Sequence, residues 1–150
     1  RVAPVSSLAA VALLASPGTR HPTRNGVLVC NDARMNEVYW CAFRLDAADP
    51  VGPIALGPER VGRAASVEVP DGVGTSAGNG LARYPDLRDR LLASGLQDAG
   101  DLYPRADAVA WIGAAMLARG EGVAAGEALP AYVRDDVARP PAGTGVTGMS

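Results

Sequence analysis

The chain contains no lysine. Its 14 basic residues are all arginine, set against 16 acidic ones, for a formal net charge of −2 over 150 residues. The arginines are scattered rather than bunched, so the missing lysine reads as a codon bias toward GC-rich triplets and not as a phosphate-binding adaptation. A standing nucleic-acid patch would show as clustered positive charge, and this chain has none. Histidine occurs once, as His21 in a polar loop between Arg20 and Pro22. One histidine and two cysteines cannot assemble a zinc set at the usual spacing, and no Ser-His-Asp constellation or Gly-x-Ser-x-Gly elbow is present. The longest apolar run, Leu8 to Ala15, is too short to span a membrane.

What is present suits one ordinary globular unit. Hydrophobic residues make up 48% and charged residues 20%, and a chain of this size buries roughly 68–70% of its unfolded surface without covalent staples. The apolar run after Arg1 resembles a secretory signal in outline. It also has a helix start at Ser6 or Ser7 and a Ser16-Pro17-Gly18 stop, so a buried helix over about 6–15 is the better reading. The chain begins with Arg, and an upstream part is expected to be missing.

The clearest local pattern is Val27-Leu28-Val29-Cys30, a polar octet Asp32-Ala33-Arg34-Met35-Asn36-Glu37-Val38-Tyr39, and Trp40-Cys41-Ala42-Phe43. Apolar β-formers around a polar insert predict a hairpin, with strands near 27–32 and 37–45. The second strand is apolar on both faces, so it belongs in a sheet covered on two sides. After the Asp46–Pro50 turn, Val51 to Leu56 predicts a third antiparallel strand at an edge because of Pro53. Gly57-Pro58-Glu59 predicts the start of a short helix. Further on, the pattern predicts a buried strand at Val73–Ala77, a Gly78-Asn79-Gly80 turn, and a helix over Leu81–Ala93 with Tyr84, Leu87, Leu91 and Leu92 inward. A last helix over Pro104–Arg119 closes at Gly120, with Val109, Ile112 and Met116 as its stripe and Trp111 beside it. Residues 129–134 read as extended, and 139–150 as a disordered tail. Strands first and covering helices after them imply a mixed α/β layer fold.

Few residues offer chemistry. Asp32, Arg34 and Glu37 concentrate charge, and Asp32 could orient a metal or a phosphate. The same three also suit a hairpin tip, with Arg34 and Glu37 as cross-strand partners and Asn36 accepting a positive φ. Gly78 and Gly80 form the only candidate nucleotide-proximal turn, yet the stretch lacks the Walker ending and the Gly-x-Gly-x-x-Gly register. If the hairpin turns on two or four residues, Cys30 and Cys41 sit opposite each other. They read as reduced, buried thiols rather than as a bridge.

Val5-Ser6-Ser7-Leu8, the segment from Asp32 to Trp40, Gly78-Asn79-Gly80 with Tyr84-Pro85-Asp86-Leu87, Tyr103-Pro104-Arg105-Ala106 and Pro130-Ala131-Tyr132-Val133-Arg134 follow one another in the order and spacing of the TsaB (YeaZ) family. The chain resembles the carboxy-terminal half of that family from residue 5 to about 138. Asn36 stands where the family usually has Gly. The resemblance implies an RNase H-like lobe of the actin/Hsp70-like ATPase superfamily, with 1–138 as the second lobe, 1–16 as its connecting helix and the first lobe missing upstream. It implies a cytoplasmic, non-catalytic scaffold in the threonylcarbamoyl modification of adenosine 37 in ANN-decoding tRNAs. A TsaD-like catalytic subunit carrying ATP and metal, and a TsaE-like ATPase, would be its partners, with a homodimer also expected; no cofactor would bind this chain, and tRNA would be met only through the complex. Asp32, Arg34, Glu37, Tyr39, Tyr132 and Arg134 would be family-motif residues with structural or interface roles. The alternative is a nucleotide-binding, glycoprotease- or ATPase-like enzyme of the same superfamily.

Overall fold

The computed structural model describes residues 1–15, 26–45, 52–130 and 133. His21, the Ser16-Pro17-Gly18 stop, the Asp46–Pro50 turn, Tyr132, Arg134 and the tail 139–150 lie outside the described residues. Helix α1 (Ser7–Leu14) is capped by Ser6, whose Oγ accepts from the N–H groups of Leu8 at 3.1 Å and Ala9 at 3.3 Å. That hydroxyl also donates to the Glu59 carboxylate. Leu8 to Ala12 are all buried, so the apolar run is a core helix. Among the described residues no helix is long and apolar enough to cross a membrane.

The centre is a mixed sheet. Strands β1 (Gly26–Asp32) and β2 (Glu37–Arg44) form the antiparallel hairpin. Strand β5 (Val73–Ala77) lies parallel to β1 on its other side, and β6 (Gln97–Asp98) parallel to β5. The far edge of β2 is shared by two short antiparallel strands, β3 (Ile54–Ala55) beside Phe43 and Arg44, and β4 (Arg60–Arg63) beside Glu37 to Trp40. The order is β3-β2-β1-β5-β6, with β4 also on β2. One face packs Val27, Val29, Cys41 and Phe43 against α1 and helix α4 (Ala106–Ala118). The other packs Leu28, Cys30, Val38 and Trp40 against Leu81 of α2 (Gly80–Arg83) and Leu87 and Leu91 of α3 (Pro85–Ala93). Both faces are covered, as a doubly apolar second strand requires.

Four expectations are corrected. The pairing is Cys30 with Trp40 and Val29 with Cys41, because the hairpin closes over three residues rather than two or four. The two thiols therefore point to opposite faces of the sheet, each in a different core cluster, and no bridge is possible. Burial pushes the Cys30 thiol up to about 12 and the Cys41 thiol up to about 11. Pro58 does not start a helix: the chain runs extended into β4, where the open edge of β2 offers backbone partners that Arg60-Val61-Gly62-Arg63 cannot find in a helix of their own. The helix expected over 81–93 is broken in two at Tyr84 (φ −123°, ψ 81°), since the ring of Pro85 disfavours a helical residue before it. Finally, the inward stripes are narrower than expected. Leu92, Val109 and Trp111 are exposed, while Leu91, Ala108 and Ile112 take the core positions.

Candidate functional site

The hairpin tip carries three successive non-glycine residues in the left-handed region: Arg34 (φ 64°), Met35 (φ 53°) and Asn36 (φ 62°). Only Asn36 was expected there. A left-handed turn costs an ordinary L-residue roughly 1–2 kcal/mol and asparagine less, so the surroundings must hold the tip in place.

They do so from beneath. The Asp32 carboxylate accepts from the Arg34 N–H at 3.0 Å and from the Tyr84 hydroxyl at 3.1 Å. The same hydroxyl lies 3.1 Å from the Glu37 carbonyl, spanning both strands of the hairpin. The Asp32 N–H donates to Asn79 Oδ1 at 2.9 Å. Ala33 N–H donates to the Glu37 carbonyl, and Glu37 N–H to that of Arg34, both at 2.9 Å. The Arg34 guanidinium rests 3.8 Å from Asp32 with its side chain almost fully in solvent. Burial, and then the Asp32 carboxylate, push the Tyr84 phenol above its ordinary value.

Asn79 reaches β1 because its neighbours have no side chain. A Cβ on Gly78 would stand 2.5 Å from the Cys30 carbonyl oxygen, and one on Gly80 would stand 2.7 Å from the same atom. Gly78 also sits at φ +110°. These glycines serve the close approach of the β5–α2 turn to β1. Asp32, Arg34, Glu37, Gly78 and Gly80 are thus gathered at one corner of the sheet. Tyr39 sits elsewhere, half-buried against the core on the α1 and α4 side. Tyr132 and Arg134 lie outside the described residues. Reasoning from sequence missed Asn79 and Tyr84 as the two side chains that brace the tip. The signals were a turn asparagine between glycines and a tyrosine before proline at a helix break.

Behind Tyr84 opens a cavity of about 440 Å³, walled by Ala64, Ala65, Tyr84, Pro85 and Leu87, with Arg83, Asp86 and Arg90 at its margin. The break between α2 and α3 shapes it. Arg90 ties α3 to the 3-10 turn Ala64–Ser66, donating to the carbonyls of Val67 at 3.0 Å and Ala64 at 2.9 Å. Among the described residues no group of three or more His, Cys, Asp and Glu side chains is placed to hold a metal ion.

No protein-family model matches the chain. It is 30% identical over 141 residues to the tRNA threonylcarbamoyladenosine biosynthesis protein TsaB of Escherichia coli K12, a match covering 90% of this chain and 59% of that protein. Among solved structures it resembles YeaZ from Pseudomonas aeruginosa with a TM-score of 0.67 and 31% identity, covering 85% of this chain and 57% of that one. A second structure, described as an uncharacterized protein with similarity to peptidase YEAZ from Pseudomonas aeruginosa, gives a TM-score of 0.65 and 30% identity over 87% of this chain and 57% of that one. The chain therefore spans less than two thirds of the length of each.

Proposed function

The chain belongs to the TsaB (YeaZ) family, and from that premise we propose that it is a non-catalytic scaffold lobe in the biosynthesis of threonylcarbamoyladenosine on tRNA. In this reading residues 1–138 are a second, RNase H-like lobe of the actin/Hsp70-like kind. The strand order β3-β2-β1-β5-β6, with β2 alone antiparallel to β1 in the central three, supports it. The lobe holds its place beside a TsaD-like subunit that carries ATP, metal and the reaction, with a TsaE-like ATPase joining them. Contact with tRNA runs through that complex, in the cytoplasm.

The observation that carries the proposal is how the polar corner is used. The Asp32 carboxylate is engaged by the tip's backbone and by Tyr84, and the glycines of the β5–α2 turn are pressed against a backbone carbonyl. Groups that would serve a nucleotide in a working site serve the fold here. Both hydrogen bonds fall on Asp32 Oδ1, with the Arg34 guanidinium 3.8 Å from Oδ2, so the carboxylate is oriented by its own chain.

The test is steady-state ATP hydrolysis by the purified chain, with and without the TsaD-like subunit. The chain by itself is expected to show no turnover above buffer, and its addition to the TsaD-like subunit to raise threonylcarbamoyladenosine formation. Hydrolysis by the chain that disappears in Asp32→Ala would overturn the proposal. Gly78→Val is unsuitable as a probe of nucleotide binding, because its Cβ would meet the Cys30 carbonyl first.

A further inference from the structure

We propose that the cavity behind Tyr84 is a docking site for a protein segment that pairs a bulky apolar side chain with flanking acidic residues. The pocket's size is in the range of sites that take one or two large side chains. Its walls are apolar: two alanines, the Tyr84 ring, Pro85 and the buried Leu87. The ring is held from its far end by the hydroxyl's contacts with Asp32 and the Glu37 carbonyl, so the wall is fixed before anything binds. A preformed site costs its ligand less ordering.

The margin is cationic. Arg83 lies at the mouth, exposed, and makes no hydrogen bond or ion pair among the described residues. Arg63, one residue before Ala64, is exposed and stands opposite Glu37 across β4 and β2, outside the lining. Arg90 spends its N–H groups on the carbonyls of Val67 and Ala64 but leaves its charge at the margin. Asp86 is the one carboxylate in the lining. The charged residues of the lining are thus two arginines against one carboxylate, around apolar walls. Arginine beside an aromatic wall is the composition of an interface centre, and its charge selects an acidic flank. The apolar walls, the nearby Asp86 and the negative overall charge favour a protein segment over RNA, whose backbone wants an unbroken basic track.

The experiment pans a displayed library of random 12-residue peptides on the full chain, on Ala65→Trp and on Arg83→Glu. Both positions are exposed, and circular dichroism of each variant is the check that its fold is kept. The expected result is a consensus of an aromatic or leucine next to Asp or Glu on the unaltered chain. A synthetic peptide of that consensus should bind at least about tenfold more weakly to each variant, and more weakly as salt rises. Failure to enrich any motif, enrichment of basic peptides, or equal binding to Ala65→Trp would each overturn the proposal. So would displacement of the peptide by a stem-loop RNA whose own binding is lost in Arg83→Glu, since that assigns the rim to nucleic acid.

Discussion

Tyr84 takes part in three features of this molecule at once. Its position before Pro85 breaks a helix, its ring walls the cavity, and its hydroxyl ties together the two strands of the hairpin. Removing that hydroxyl isolates the last of these roles. Tyr84→Phe should cost roughly 0.5–1.5 kcal/mol at neutral pH, the net worth of a hydrogen bond, read from urea unfolding. The pH dependence has a definite sign. The phenol's folded pKa is raised above its unfolded value of 10.0 by burial first and by Asp32 next. Its contribution is therefore complete below pH 10 and fades as pH climbs through the folded value. The difference in stability between the parent chain and Tyr84→Phe should shrink on going from pH 9 to pH 11. A gap that stayed constant or widened would show that the hydroxyl does not act through its protonated form. Cys30 and Cys41 also titrate in this range, but they are common to both proteins and cancel in the comparison.

At the scale of elements, what could be read from the sequence depended on whether a residue type answers to one cause or to several. Strand β5 came out with its observed limits because Val73 to Ala77 is bounded by glycine on both sides. The hairpin was legible too, but not its register. Apolar arms on both faces leave the pairing free to slide by one residue, and what sets it is the three-residue left-handed tip, which the side chains of Arg34 and Met35 do nothing to advertise. Strands β4 and β6 were missed because two to four residues held by an already formed edge need no pattern of their own. Glycines differ in the same way. A Cβ on Gly72 (φ +81°) would meet nothing within 4 Å, whereas one on Gly78 (φ +110°) would face a carbonyl at 2.5 Å. Gly72→Ala should cost about 1–2 kcal/mol, the left-handed penalty by itself. Gly78→Ala should cost about 1–3 kcal/mol more, from overpacking β1, and should also loosen the Asn79 contact to Asp32. Thermal melts of the two variants side by side check this. Equal losses would mean that the β5–α2 turn can move away from β1 without penalty, and the brace would not be rigid.

At the scale of the whole molecule the surface is uneven. Helix α4 has Asp107 as its only charged residue between Ala106 and Ala118, so it is apolar nearly all round, a composition that belongs to a buried helix. Yet only Ala108 and Ile112 are buried, while Val109 is 37%, Trp111 45% and Leu117 45% exposed. The sequence announced the helix, but of the stripe read from it Ile112 is buried and Val109 exposed, because a helix without a polar face has little to orient it. The expected consequence is binding of an apolar dye such as ANS by the native chain. Trp111→Glu should at least halve that fluorescence while changing stability by no more than about 0.5 kcal/mol, as an exposed site permits. The alternative source of dye binding is the cavity behind Tyr84, on the opposite side of the sheet. Ala65→Trp fills that cavity without touching α4 and serves as the control. Signal lost in Ala65→Trp and retained in Trp111→Glu would place the open apolar surface on the α3 side and contradict the exposure of α4. The reverse result assigns it to the α1 and α4 side, where the segment from Arg1 to Val5 also lies, with Val2 bridged to Val123 and Val5 against Gly113.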